Sequence, residues 1–248
     1  MAAPANELEV AIHNWRSDSG ISPLALGERH VHVWQSAIET SSPENARLQD
    51  LLSSDERERA ARFHFEKDRS AYIVSRGRLR ILLGAYLGAS PAELQFVYSK
   101  YGKPSLGNST QHASLSFNVS HSAGLVLYAF AKRRVGVDVE HVRNNFDAGQ
   151  IAERFFSEAE KIALRTTAQA QRHQAFFRCW TRKEAYIKAI GEGLSHPLHQ
   201  FDVSLDAGSA AILGSRPDAA EAKRWLLRDI PLPADYIGAL AVEMDRNQ

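Results

Sequence analysis

From Phe176 to Leu194 the chain reads FFRCWTRKEAYIKAIGEGL, and no other stretch constrains the fold as much. At helical spacing Phe176, Phe177, Trp180, Ile187 and Ile190 make one apolar stripe. Glu184 falls in the middle of it, with Lys188 one turn further along the same face. Gly191 and Gly193 read as a helix stop. A carboxylate on a core-facing stripe is costly unless a cation or strong donors meet it. An intrahelical pair with Lys188 meets that demand, so the stretch alone does not separate a plain amphipathic helix from a functional site.

A second acidic site changes the balance. Val135-Gly136-Val137-Asp138-Val139-Glu140 alternates strictly, which puts the valines on one face of a strand and Asp138 and Glu140 on the other. At about 4 Å and an effective dielectric near 20, two such charges repel by about 4 kcal/mol. An enclosed face would relieve that tension with a bound cation; the outer face of a solvated edge strand would relieve it with water. Oxygen ligands without a cysteine or a metal-type histidine pair point to Mg²⁺ rather than zinc. His196 and His199 lie three apart in a proline-containing loop and read as surface residues.

The 248-residue chain is 44% hydrophobic and 24% charged, an ordinary globular composition. A net charge of +1 gives no overall push towards nucleic acid or an anionic membrane. The single cysteine excludes an internal disulfide and a cysteine-based metal cluster, and beside Trp180 it reads as packing. Met1 to Trp15 has no uninterrupted apolar run and nothing later reaches membrane-spanning length, so the expectation is a cytoplasmic chain.

In order, residues 1–29 read as an irregular lead-in, Val31–Trp34 as a strand, Pro43–Leu52 and Ser54 onwards as helices, and Asp68–Leu87 as a long helix. Strands follow at Leu94–Tyr98, Phe117–His121 and Leu125–Phe130. The order then returns: a strand at Val135–Glu140, short helices at Ile151–Phe156 and from Ser157, the long helix Phe176–Ile190, and strands near Phe201–Leu205, Ala210–Leu213, Trp225–Arg228 and Tyr236–Val242. We expect an α+β fold, internally duplicated about a pseudo-two-fold. Each half is a small, mostly antiparallel sheet with helices packed on it, the halves being 1–134 and 135–248 with a cleft between them.

Magnesium on few carboxylates shares its sphere with a substrate diphosphate. No G-x-x-x-x-G-K-[ST] is present. The candidates for phosphate are Lys103, His121 at a strand end, and a basic run of Arg57, Arg59, Arg62, Lys67, Arg69, Arg76, Arg78 and Arg80, which reads mostly as solvated helix surface. Ser120 and His121 point to opposite faces of their strand, which argues against a serine nucleophile activated by that histidine.

Five stretches, in order, closely resemble the large, monomeric, surfactin-synthetase-activating type of 4′-phosphopantetheinyl transferase. They are Tyr-Gly-Lys-Pro (101–104), Phe-Asn-Val-Ser-His-Ser (117–122), Val-Gly-Val-Asp-Val-Glu (135–140), Arg-Phe-Phe-Ser (154–157) and the Trp-Thr-Arg-Lys-Glu-Ala run (180–195). The resemblance implies the duplicated fold. It also implies transfer of the phosphopantetheine arm of coenzyme A to a serine of an apo acyl or peptidyl carrier protein, in fatty acid, polyketide or nonribosomal peptide synthesis, with release of adenosine 3′,5′-bisphosphate. By position, Asp138, Glu140 and Glu184 are then the Mg²⁺ ligands. Lys188 and His121 meet the coenzyme A phosphates, and Ser120 lies with them. Lys100, Lys103 and the backbone of Tyr101 and Gly102 hold the adenosine end, and Arg59 aligns with a phosphate contact. Glu56 stands where one member type has lysine. Glu184 is also the candidate base. A Mg²⁺-dependent nuclease and a non-enzymatic coenzyme A-binding module are the rival readings; the near-zero net charge gives the nuclease little support.

Overall fold

In a computed structural model of the chain, the described residues are 8–16, 23–39, 43–107, 115–143 and 147–244. The first half comprises β1 (Glu9–Asn14), β2 (His30–Ala37), α1 (Glu44–Asp50), α2 (Ser54–Ala61), α3 (Glu66–Leu87), β3 (Phe96–Tyr98), β4 (Pro104–Leu106), β5 (Ser116–Ser122) and β6 (Leu125–Ala131). The second comprises β7 (Val135–His141), α4 (Ala148–Phe155), α5 (Glu158–Thr166), α6 (Gln169–Ile190), β8 (Phe201–Val203), β9 (Ile212–Ser215), β10 (Trp225–Asp229) and β11 (Tyr236–Glu243).

The strands form a sheet of order β1-β2-β6-β5, a second of order β10-β11-β7, and two short hairpins, β3-β4 and β8-β9. Each main sheet carries one helix of 22 residues, α3 on the first and α6 on the second. Leu79, Leu82 and Leu83 of α3 pack on Phe117, Val126, Tyr128 and Phe130, each buried leucine contributing about 1.5–3 kcal/mol. The opposite faces of the two sheets share a core, in which Val31, Val33, Leu127 and Ala129 meet Val135, Val137, Val139 and Leu240. β6 is therefore buried on both faces, which is why LVLYAFA carries no polar alternation.

The α+β expectation holds, with three differences. The lead-in expected over residues 1–29 contains β1, which pairs parallel with β2 from Glu9↔His30 to Asn14↔Gln35; residues 1–7 and 17–22 lie outside the described ones. α6 begins at Gln169 rather than Phe176. The basic run is not all solvated surface, because Arg76, Arg78 and Arg80 are buried. Glu56 of α2 bonds Arg80 Nε at 2.7 Å and lies 3.3 Å from Arg76 Nε, while Glu44 of α1 takes Arg78 at 2.7 Å. These pairs bolt α1 and α2 onto α3, and Glu56, standing where one member type has lysine, is committed to the interior.

β5 and β7 run side by side at the junction of the two sheets, joined through side chains rather than a backbone ladder. Asn118 Oδ1 accepts from Val137 N–H at 2.8 Å, Ser120 Oγ from Val139 N–H at 3.3 Å, and Ser122 Oγ from His141 N–H at 3.1 Å. Donors that an edge strand would otherwise leave unpaired in the interior are satisfied in this way.

Candidate active site

α6 crosses β7 at nearly backbone distance because the crossing residues are small. A Cβ at Gly136 would stand 2.1 Å from Ala185 O and 2.4 Å from Ala189 N. Ala185 and Ala189 are fully buried against the strand. That contact sets α6 over the face of β7 that carries Asp138 and Glu140, and Glu184 and Lys188 project from the helix beside the crossing. Gly191, at φ +81°, ends the helix in the left-handed conformation that glycine adopts without strain.

Lys188 Nζ lies 2.6 Å from Asp138 Oδ1 and donates to Ser120 Oγ at 3.0 Å. Ser120 in turn donates to Asp138 Oδ1 at 2.8 Å. Glu140 Oε2 accepts from Ser122 Oγ at 3.0 Å. Asp138 Oδ2 and Glu184 Oε1 are buried without a hydrogen-bond partner. Among the described residues no group of three His, Cys, Asp or Glu side chains is gathered as a finished metal cage; a lysine stands among these carboxylates instead.

The electrostatics match the geometry. Burial, then the charges of Asp138 and Glu140, push the Glu184 carboxyl up to about 7, with Lys188 pulling the other way. Burial and Asp138 also raise Glu140. His121, next to Ser120 but on the open side of β5, is lowered by partial desolvation and by the Lys188 ammonium. The cluster is short of positive charge, and two of its oxygens lack partners.

The remaining expected residues lie apart from this cluster. Arg59 is exposed on α2 with its guanidinium 5.5 Å from the Tyr72 ring centroid. Lys100 sits over the Tyr101 ring at 4.6 Å, both exposed, and Gly102 turns the chain at φ +79°. Lys103 points inward: its Nζ donates to Lys188 O at 2.5 Å, Ala189 O at 3.3 Å and Val135 O at 3.4 Å. It thus ties the β3–β4 turn to the C-terminal end of α6, where a cation is favoured. Burial, reinforced by Arg134, lowers its pKa to about 8. A cavity of about 420 Å³ opens here, lined by Ser99, Lys103, Ser116, Phe117, Arg134 and Ile190 among others.

Sequence reasoning passed over Lys183, Arg182 and Ser122. Lys183, beside Glu184 in the motif, is 0% exposed and pairs with Glu160 at 2.8 Å while donating to the carbonyls of Leu198 and Phe201. Arg182 grips Asp229 through Nε at 2.9 Å and a terminal nitrogen at 2.7 Å. Both hold α6 in place. Glu160 is also the capping-box residue of α5, so one carboxylate caps that helix and pairs with Lys183.

The description "4'-phosphopantetheinyl transferase superfamily" matches residues 134–241, and "4'-phosphopantetheinyl transferase, N-terminal" matches 37–133. The chain belongs to the 4′-phosphopantetheinyl transferases and is a transferase by class. It is 39% identical over 223 residues to the 4′-phosphopantetheinyl transferase HetI of Nostoc sp., covering 88% of this chain and 90% of that one. It is 30% identical over 165 residues to the 4′-phosphopantetheinyl transferase Sfp of Bacillus subtilis, covering 66% and 71%. A solved structure of Thermotoga maritima holo-[acyl-carrier-protein] synthase is 26% identical over 45% of this chain and 63% of that one, with a TM-score of 0.36.

Proposed function

We propose that this chain moves the 4′-phosphopantetheine arm of coenzyme A onto a serine of an apo carrier protein, with Mg²⁺ held by Asp138, Glu140 and Glu184. The observation that carries the reading is the cluster itself: three carboxylates on facing elements, with Asp138 Oδ2 and Glu184 Oε1 buried and unpartnered. An all-oxygen donor set of that charge fits a hard divalent ion. Bound there, magnesium would draw negative charge off the diphosphate oxygens.

The rest of the chemistry belongs to side chains. The carrier's serine oxygen bonds to the β-phosphorus, the bond from that phosphorus to the leaving phosphate oxygen breaks, and adenosine 3′,5′-bisphosphate departs. Glu184, directly or through a water, takes the serine proton. Lys188 neutralises charge that builds on the phosphate oxygens, and His121 on the rim adds a donor. Ser120 spends its one proton on Asp138, so it orients Asp138 and Lys188. The departing phosphate is a weak base and needs no general acid.

The cavity at Lys103 and Arg134 is assigned to the adenosine end of coenzyme A, and Lys100, Tyr101, Gly102 and Arg59 are assigned to the same end of the substrate. We divide the chain into halves 1–134 and 135–248 that complete the site between them, so a monomer suffices. Among the described residues no helix is long and apolar enough to cross a membrane, and a cytoplasmic location fits substrates of this kind. Fluorescent coenzyme A offered with a panel of apo acyl, peptidyl and aryl carrier domains tests the reading. Label should pass to at least one carrier with Mg²⁺ and to none in EDTA. Labelling of none in either condition, or labelling indifferent to EDTA, goes against it.

A further inference from the structure

Asn118, Ser120 and Ser122 repeat one geometry. Each side chain accepts the N–H of the residue 19 positions on, at Val137, Val139 and His141. The two serines also serve the residue 18 positions on: Ser120 donates to Asp138 Oδ1 at 2.8 Å and Ser122 to Glu140 Oε2 at 3.0 Å. Asn118 has no carboxylate to serve, since the corresponding residue is Gly136. A hydroxyl has one proton, so a serine that accepts from a backbone N–H and donates to a carboxylate is fixed in both roles.

The two served carboxylates are not equally constrained. Asp138 is 3% exposed and also held by Lys188. Glu140 is half-buried, has one more rotatable bond, and is repelled by Asp138. Ser122 Oγ donates to its Oε2 at 3.0 Å, and Ser122 is itself tied to the β7 backbone at His141. Lys188 and Arg143 attract Glu140 and Asp138 repels it, so without the Ser122 bond its longer side chain is free to take other rotamers.

We infer that Ser122 is a positioning residue, which holds Glu140 in the cluster and so sets the affinity of the cluster for a divalent cation. The inference rests on the magnesium reading above. Partners of this kind behind a ligand typically change metal affinity by about 10- to 100-fold. The two jobs of the serine ladder are separable, because Asn118 is a rung with only the structural job.

The experiment titrates Mg²⁺ into the protein with coenzyme A by calorimetry, and measures transfer as a function of Mg²⁺ concentration. The proteins compared are the wild type, Ser122→Ala, Ser122→Thr and Asn118→Ala. Ser122→Ala should bind Mg²⁺ about tenfold more weakly and need correspondingly more for half-maximal turnover, while turnover at saturating Mg²⁺ recovers. Ser122→Thr, which keeps the hydroxyl, should restore the affinity. Asn118→Ala should lower thermal stability, as Ser122→Ala does, and leave Mg²⁺ affinity at the wild-type value. Equal weakening in Ser122→Ala and Asn118→Ala, or none in Ser122→Ala, overturns the positioning role while the magnesium reading stands. Wild-type protein that neither binds nor needs Mg²⁺ overturns both.

Discussion

Lys188 Nζ and Asp138 Oδ1 stand 2.6 Å apart, joining the helix to the strand at the centre of the acidic cluster. Lys188 is also partly open to solvent, whereas Lys183, five residues earlier on the same helix, is sealed against Glu160. Two lysines of one motif therefore do different work. Lys188→Ala should lower turnover by about 10²–10³. It should also cost some stability, because Asp138 is left buried beside Glu140 and Glu184. Lys183→Met should cost about 3–5 kcal/mol because Glu160 is left buried and uncompensated, and should act on turnover only through that loss of stability. Denaturant unfolding and single-substrate kinetics on both variants check the contrast.

Gly136→Ala tests the crossing of α6 on β7. The added methyl meets helix backbone at 2.1 Å and 2.4 Å, and neither atom is the end of a flexible side chain. The helix must lift, at a cost of about 1–3 kcal/mol or more, and Glu184 and Lys188 move away from Asp138 with it. Transfer should be lost even at temperatures where circular dichroism still reports a folded chain.

Lys103 gives a pH prediction. Its folded pKa of about 8 lies below the ordinary lysine value, so between about pH 8 and 10 the unfolded chain binds more protons at this residue than the folded one. Stability from this group therefore rises with pH across that window. The difference in unfolding free energy between wild type and Lys103→Met should shift in favour of the wild type from pH 7.5 to pH 10, as chemical denaturation at each pH would read.

Cys179 is fully buried on α6, and burial raises its thiol pKa well above the usual value. Native protein should resist alkylation by iodoacetamide at pH 8, while protein unfolded in guanidinium should be modified fully. Mass spectrometry of the two samples distinguishes them. Prompt modification of native protein would contradict the packing role.

Much of this was legible from period alone. The strict alternation of Val135 to Glu140 carried the face assignment, since a strand has no other way to place every second side chain. The spacing of Glu184 and Lys188 did the same for α6. Other features have no local signal. β1 is a strand because the edge of β2 receives it, and EVAIHN by itself says little. Arg76, Arg78 and Arg80 look like helix surface until Glu44 and Glu56, from other helices, are placed against them. The joining of β5 to β7 by Asn118, Ser120 and Ser122 depends on residues 18 and 19 positions away. That the Lys103 ammonium bonds the carbonyls at the end of α6 likewise depends on residues some 85 positions away.

The most direct test is Glu184→Gln, which keeps the shape of the side chain and removes its charge and basicity. Calorimetry should find coenzyme A bound with affinity near that of the wild type, while transfer to an apo carrier falls by about 10²-fold or more. Turnover equal to the wild type, with coenzyme A still bound, would show that the helix carboxylate facing Asp138 and Glu140 has no part in the chemistry.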